Sequence, residues 1–379
     1  MSVKRVDLVY FEAGGGHRAA ATALNLVIAE QQRPWDVRLV NLQEILDPLD
    51  VFRRLLGRRL QDVYNLLLRK GWTLGSSQLC AMMHAIIRTS HAQQVRLIEE
   101  QWRASRPDLV VSLVPNFNRA LCESLRNIRP AAPFVTVLTD LADYPPHFWI
   151  ERQEQFVVCG SERAVEQARE QGHAEDRIFR VSGMILHPRF YKPVTADRAA
   201  ARRRLGLDPA RATGLVMFGG EGSKAMLNIV RRLDHSALDL QLILICGRNQ
   251  SLARQLREFR GRFPMFVEEF TTEVPYYMHL SDFFIGKPGP GSISEALAMK
   301  LPVIVQSNAW TLPQERYNTV WVRQTETGLV LSGFHRVAEA VAELIEPATL
   351  ARYKANADAI QNRAVFEVVD ILERLLAGA

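Results

Sequence analysis

The 379-residue sequence lacks any apolar run long enough to span a bilayer, and it enters a short apolar stretch at residues 6–10 with no signal-peptide pattern before it. Neither a helical membrane protein nor a secreted one is expected, and the cytoplasm is the expected compartment. Cysteine is scarce. The four present, Cys80, Cys122, Cys159 and Cys246, lie far apart and mostly in apolar stretches, which suits buried thiols in a reducing cytosol and offers no zinc spacing. There is no internal repeat and no low-complexity segment. A P-loop is missing too, since GGEGSKA at residues 219–225 has the wrong spacing. So is a dinucleotide fingerprint, because the third glycine of G-x-G-x-x-G would have to stand where Ala19 does.

What is present suits an α/β protein. A hydrophobic content of 47% over this length is enough for two ordinary cores. Short apolar runs at residues 6–10, 37–41, 109–114, 134–139, 155–159 and 178–181 alternate with helical stretches. A Pro/His/Tyr-rich passage at residues 187–198 interrupts the pattern, and a second series follows at residues 214–218, 241–246, 266–269, 282–285 and 302–306. Two doubly wound domains are expected, facing each other across a cleft, with ligands at the carboxyl ends of the strands. The formal charge of +6 and a pI near 9.3 point to an anionic partner.

Residues 286–306, GKPGPGSISEALAMKLPVIVQ, read as a strand end, a Gly/Pro loop, a helix and a second strand. Gly286, Gly289 and Gly291 let backbone N–H groups approach an anion, and a helix starting at Ser292 would turn its positive end toward a diphosphate. Glu295, one turn in, could accept both hydroxyls of a ribose. Equally, Ser292-x-x-Glu295 is a capping box that needs no ligand. Near the amino terminus an apolar strand turns through Gly14, Gly15 and Gly16 into an Ala/Leu-rich helix, and His17 sits at the turn. A helix amino terminus disfavours the imidazolium, leaving a neutral ring that can accept a proton. A surface histidine in a tight turn is the alternative.

Residues 51–70 do not fit the sheet alternation. Phe52, Leu55, Leu56, Leu60, Val63 and Leu67 share one helical face, while six cations, including Arg53, Arg54, Arg58 and Arg59, stand against Asp62 for a net charge of +5. Such a helix can lie in an anionic membrane interface or pack on its own sheet with a solvated basic side. The apolar, Met-rich stretch that follows, beginning at Gly71 and Trp72, would suit a mobile lip over a greasy acceptor site. Nucleic acid is not expected, because the aromatics here are not interleaved with the arginines.

GGGHRAA at residues 14–20, VYNLLL at 63–68, LTDL at 138–141, FGGEG at 218–222, ICGRN at 245–249 and GPGSISEAL at 289–297 together resemble, in order and spacing, the monogalactosyldiacylglycerol synthases and related bacterial diacylglycerol glucosyltransferases of glycosyltransferase family 28. The resemblance runs nearly end to end. It implies a GT-B fold: an acceptor domain at residues 1–186, a UDP-sugar domain at 187–363, and a helix at 364–379 crossing back to the first. It implies inverting transfer of a hexose from a UDP-sugar to a lipid hydroxyl, diacylglycerol first among candidates, by a protein peripheral on the inner face of the cell membrane. GT-B enzymes generally need no catalytic metal, Asp140 and Asp143 do not form an Asp-x-Asp pair, and no cofactor is expected.

Carried over by position, the resemblance makes His17 the general base with Asp140 as a supporting polar group. Gly15, Gly16, Gly219 and Gly220 would bring backbone to the donor, Arg248 would lie at the uridine side, and Phe270 would flank the uracil. Gly289, Pro290, Gly291 and Ser292 would hold the diphosphate and Glu295 the ribose. The family's Gly-Gln-Glu becomes Pro313-Gln314-Glu315, which leaves Gln314 and Glu315, with Asn318, as sugar ligands. The family's Thr-Lys-Ala-Gly-Pro-Gly becomes the GKPGPG of residues 286–291, and ADYPPHFW at residues 142–149 only loosely keeps its His-Pro-Trp character. A non-hydrolysing UDP-sugar epimerase of the same fold, a catalytically silent sugar-nucleotide-binding subunit, and a transferase to another hydrophobic alcohol are the competing readings.

Overall fold

The computed structural model describes residues 3–12, 15–49, 84–85, 87–144 and 147–378. Gly14, Cys80 and the membrane candidates Phe52, Arg53, Arg54, Arg58, Arg59 and Trp72 lie outside the described residues. The chain forms two compact units, one of Met1–Pro188, Leu312–Gln314 and Asn362–Ala379, the other of Arg189–Thr311 and Glu315–Gln361.

In the first unit β1 (Lys4–Tyr10), β2 (Trp35–Asn41), β3 (Leu109–Ser112), β4 (Phe134–Val137), β5 (Phe156–Cys159) and β6 (Ile178–Arg180) form one parallel sheet in the order 2-1-3-4-5-6. LVVS and FVTV, the whole of β3 and β4, are buried. Such strands are covered on both faces and read as continuous apolar runs, which is why the sequence displays them. The chain leaves β1 on one side toward β2 and returns on the other to β3. That reversal opens a crevice beyond the carboxyl ends of β1 and β3, where doubly wound sheets bind ligands. Val9, Val110 and Phe134 pack beneath it against Ile98, Trp102, Leu121 and Leu125 of the covering helices, each buried side chain of this kind contributing about 1.5–3 kcal/mol.

The second unit repeats the scheme. β7 (Ala212–Met217), β8 (Leu240–Ile245), β9 (Met265–Glu268), β10 (Phe283–Gly286), β11 (Val303–Gln306) and β12 (Gly328–Leu331) form a parallel sheet in the order 12-11-10-7-8-9, so the reversal lies between β7 and β10. The sequence pattern predicts five of these strands, and the structure adds β12. It is a half-buried edge of four residues beginning with glycine, a residue that ordinarily reads as a strand breaker. Here a close approach demands it, since a Cβ at Gly328 would lie 1.9 Å from the Val303 carbonyl oxygen.

The helix Ala364–Ala377 buries Val365, Val368, Val369, Ile371 and Leu372 and packs on the helix Gly16–Glu30 of the first unit. Arg33 donates to Asp370 Oδ1 at 3.0 Å and also pairs with Glu373. Ser182 N donates to Glu367 Oε2 at 2.6 Å. The unit takes the chain back from Asn362, whose Nδ2 donates to the Met184 carbonyl at 2.9 Å.

Candidate active site

In the first unit the glycine turn after β1 runs into the helix Gly16–Glu30, with Gly15 as its N-cap at φ 82°. His17 is the second residue of that helix. Its Nδ1 lies 3.0 Å from Thr139 Oγ1, just beyond β4, and the Leu113 backbone, just beyond β3, favours the charged form of the ring. The ends of three neighbouring strands therefore converge on one imidazole. Burial lowers its pKa to about 4, with the Leu113 hydrogen bond acting weakly in the opposite direction. Desolvation, more than the helix amino terminus that the sequence suggests, is what favours the neutral ring.

Trp149 packs beside this histidine, the two ring centroids 5.8 Å apart. Its indole N–H donates to Asp140 Oδ2 at 2.9 Å. Asp140 thus fixes the indole that walls the imidazole. Asp143 organises the loop from inside, accepting the backbone N–H groups of His147, Trp149 and Ile150; burial pushes its carboxyl up to about 6.

In the second unit the loops after β7, β8, β9 and β10 meet at the carboxyl ends of the strands. Arg248 N donates to the Gly220 carbonyl at 2.8 Å, tying the β8 loop to the β7 loop. The Arg248 guanidinium lies over the face of the exposed Phe270 ring, 4.5 Å from its centroid. The predicted uridine pair is therefore a cation–π stack at the surface.

The loop after β10 departs from the sequence expectation at two points. The helix runs Pro290–Ala298, with Gly289 at the N-cap, proline in the first turn and no side-chain cap. Ser292 is thus inside the helix, and the capping-box reading of Ser292 and Glu295 falls. Proline at the start explains the shift, since its fixed φ and missing N–H suit the first helical position. Gly286 serves the sheet, because a Cβ there would come within 2.6 Å of the Met217 carbonyl oxygen. Glu295 is half-buried, and its carboxylate has no hydrogen-bond partner among the described residues. Burial pushes its pKa up to about 7, while the charge of Arg189 pulls the other way.

Glu315 and Asn318 brace this loop. Asn318 is fully buried and its Nδ2 donates to the Pro288 carbonyl at 2.8 Å. It is a fixture of the loop and has no surface to offer a sugar. Glu315 Oε1 accepts from Lys287 Nζ at 2.9 Å, with the carboxylate side chain 9% exposed and the lysine 43%. Gln314 is half-buried and groups with the first unit. Sequence reasoning missed Thr139 and Lys287; both act through partners distant in the chain, which no local pattern displays.

Comparison with known proteins agrees with this architecture. The family model "Glycosyltransferase family 28 C-terminal domain" matches residues 215–375. The chain is 30% identical over 401 residues to the probable monogalactosyldiacylglycerol synthase 2, chloroplastic, of Oryza sativa subsp. japonica, covering 99% of this chain and 81% of that protein. It is 28% identical over 393 residues to the monogalactosyldiacylglycerol synthase, chloroplastic, of Spinacia oleracea, covering 99% and 73%. Among solved structures, MurG of Acinetobacter baumannii aligns with a TM-score of 0.64 at 12% identity over 98% of this chain and 99% of that one. The glycosyltransferase SnogD of Streptomyces nogalater aligns at 0.59 and 15%, over 98% and 100%. At those identities the likeness establishes the fold, which is GT-B.

Proposed function

We propose, for a chain that belongs to the monogalactosyldiacylglycerol synthase family of glycosyltransferases, that it moves a hexose from a UDP-sugar to a lipid hydroxyl, diacylglycerol in the first instance, with inversion at the anomeric carbon. The observation that carries the chemistry is His17. A neutral imidazole fixed at Nδ1 by the Thr139 hydroxyl at the carboxyl end of β1 can act as a general base through its other ring nitrogen. As the acceptor oxygen bonds to the anomeric carbon, its proton passes to His17. The bond to the diphosphate oxygen breaks, and its electron pair leaves with UDP. A single displacement of this kind turns an α-linked donor into a β-glycoside.

The loops of the second unit supply the donor contacts in this reading. The Arg248–Phe270 stack takes the uracil, Glu295 accepts from the ribose hydroxyls, and the backbone N–H groups at the start of the Pro290–Ala298 helix take the diphosphate. The reading needs no metal, so turnover should survive EDTA. Among the described residues no helix is long and apolar enough to cross a membrane. Peripheral association at an anionic surface is part of the proposal, with the net +5 of residues 51–70 as its charge.

The test supplies purified protein with vesicles of anionic phospholipid and diacylglycerol, and with UDP-galactose, UDP-glucose or UDP-N-acetylglucosamine. The lipid extract is then examined by mass spectrometry and proton NMR. A β-glycosyl-diacylglycerol is expected. An α-linked product would overturn the single displacement, and interconversion of UDP-sugars without UDP release would replace the transferase by an epimerase.

A further inference from the structure

We propose that Lys287 is the cation that meets the donor diphosphate, and that Glu315 is the positioning residue that holds it there, a role distinct from the sugar ligand predicted for Glu315. The inference rests on the UDP-sugar reading and deepens it. Lys287 follows β10 directly, and its side chain lies between the two glycine loops that flank the reversal of the second sheet. A Cβ built on Gly289 would stand 3.3 Å from Lys287 Cε, and one built on Gly219 would stand 3.8 Å from the same atom. In doubly wound sheets that crevice takes the phosphates.

The charge balance has a direction. Glu315 is nearly buried and Lys287 is not, their side chains being 9% and 43% exposed. The carboxylate thus anchors the ammonium 2.9 Å away, on a lysine side chain that is partly exposed. An ammonium carries three donors on a flexible stem, so it can keep its bond to a carboxylate while donating to a phosphate oxygen. Glu315 also begins the helix Arg316–Gln324 as its N-cap residue, and Asn318 of that helix holds the Pro288 carbonyl. Helix, loop and lysine are therefore fixed as one piece. During transfer the bond pair of the breaking C–O bond moves onto the diphosphate, and Lys287, which neither gains nor loses a proton, opposes the new charge. The backbone N–H groups of the Pro290–Ala298 helix share that task.

The experiment is calorimetric titration with UDP and, separately, with uridine, on wild-type protein and on Lys287→Met, Lys287→Arg, Glu315→Gln and the Lys287→Met/Glu315→Gln double variant, with kcat measured for each. Loss of a charge-assisted contact should weaken UDP by roughly 10- to 100-fold in Lys287→Met while leaving uridine unchanged. Uridine binding serves as the check on folding. If Lys287→Met loses uridine as well, Lys287→Arg decides: UDP affinity near wild type supports the proposal and loss of it overturns it. Glu315→Gln should weaken UDP less, and the double variant should be no worse than Lys287→Met, because Glu315 acts through the lysine. Additive losses would overturn the positioning role. Equal UDP affinity in wild type and Lys287→Met overturns the proposal alone, whereas a wild-type protein that binds no UDP overturns the donor reading beneath it.

Discussion

Thr139 Oγ1 stands 3.0 Å from Nδ1 of His17, across 122 positions of sequence, and joins the end of β4 to the first turn of the Gly16–Glu30 helix. A base aimed by one hydroxyl should lose aim when the hydroxyl goes. Thr139→Val keeps the shape of the side chain and removes the bond, a change of about 1 kcal/mol. A fall in kcat of roughly fivefold is expected, with UDP affinity unchanged. Unaltered kcat would mean that the contact only packs.

Acid titration separates this histidine from an ordinary one. With its pKa lowered to about 4 by burial, His17 stays unprotonated through mildly acidic solution, so the base is fully active above that value and lost as pH falls through it. At saturating donor, kcat should hold level from about pH 7 to about pH 5 and decline toward about pH 4. A decline centred near 6.5, the ordinary histidine value, would contradict the desolvated base. Saturation matters because Glu295, pushed up to about 7, would act on donor KM.

Much of this arrangement is legible in the sequence, and the parts that are not share a cause. The fully buried strands show themselves as short Val/Ile/Leu runs, and the glycine turn before His17 points to a base. β12 escapes notice because a half-buried strand opening on Gly328 has no such run. The helix after β10 is misplaced because Ser292 and Glu295 match a capping box while Pro290 carries the actual start. Asp140 is visible as a polar group near His17, but its partner proves to be the Trp149 indole. Thr139 and Lys287 gain their meaning only when separate strand ends are brought together.

Asn318 offers a test of the loop it braces. Asn318→Leu fills similar space but leaves the Pro288 carbonyl without its donor, at a cost of about 1–3 kcal/mol. A lower Tm and a raised donor KM are expected, with little change in kcat. A large drop in kcat at unchanged Tm would instead restore Asn318 as a sugar ligand.

Charge reversal at Arg53, Arg54, Arg58 and Arg59 tests the lipid surface. Each basic residue near an anionic membrane contributes about 1 kcal/mol. The fourfold Arg→Glu variant should fail to cosediment with phosphatidylserine-containing vesicles that carry the wild type, and the wild type should release as salt rises. Equal cosedimentation of the two proteins would remove these residues from membrane association.

The central claim is that His17 takes the acceptor proton in a transfer from UDP-sugar to lipid, and it is met most directly by comparing wild-type and His17→Ala protein on diacylglycerol vesicles, with glycolipid formation and UDP affinity measured on the same preparations. Glycosyl-diacylglycerol from the wild type, a fall of roughly 10²- to 10⁴-fold in the variant and unchanged UDP binding are the expected result. A His17→Ala protein that makes glycolipid at the wild-type rate would contradict it.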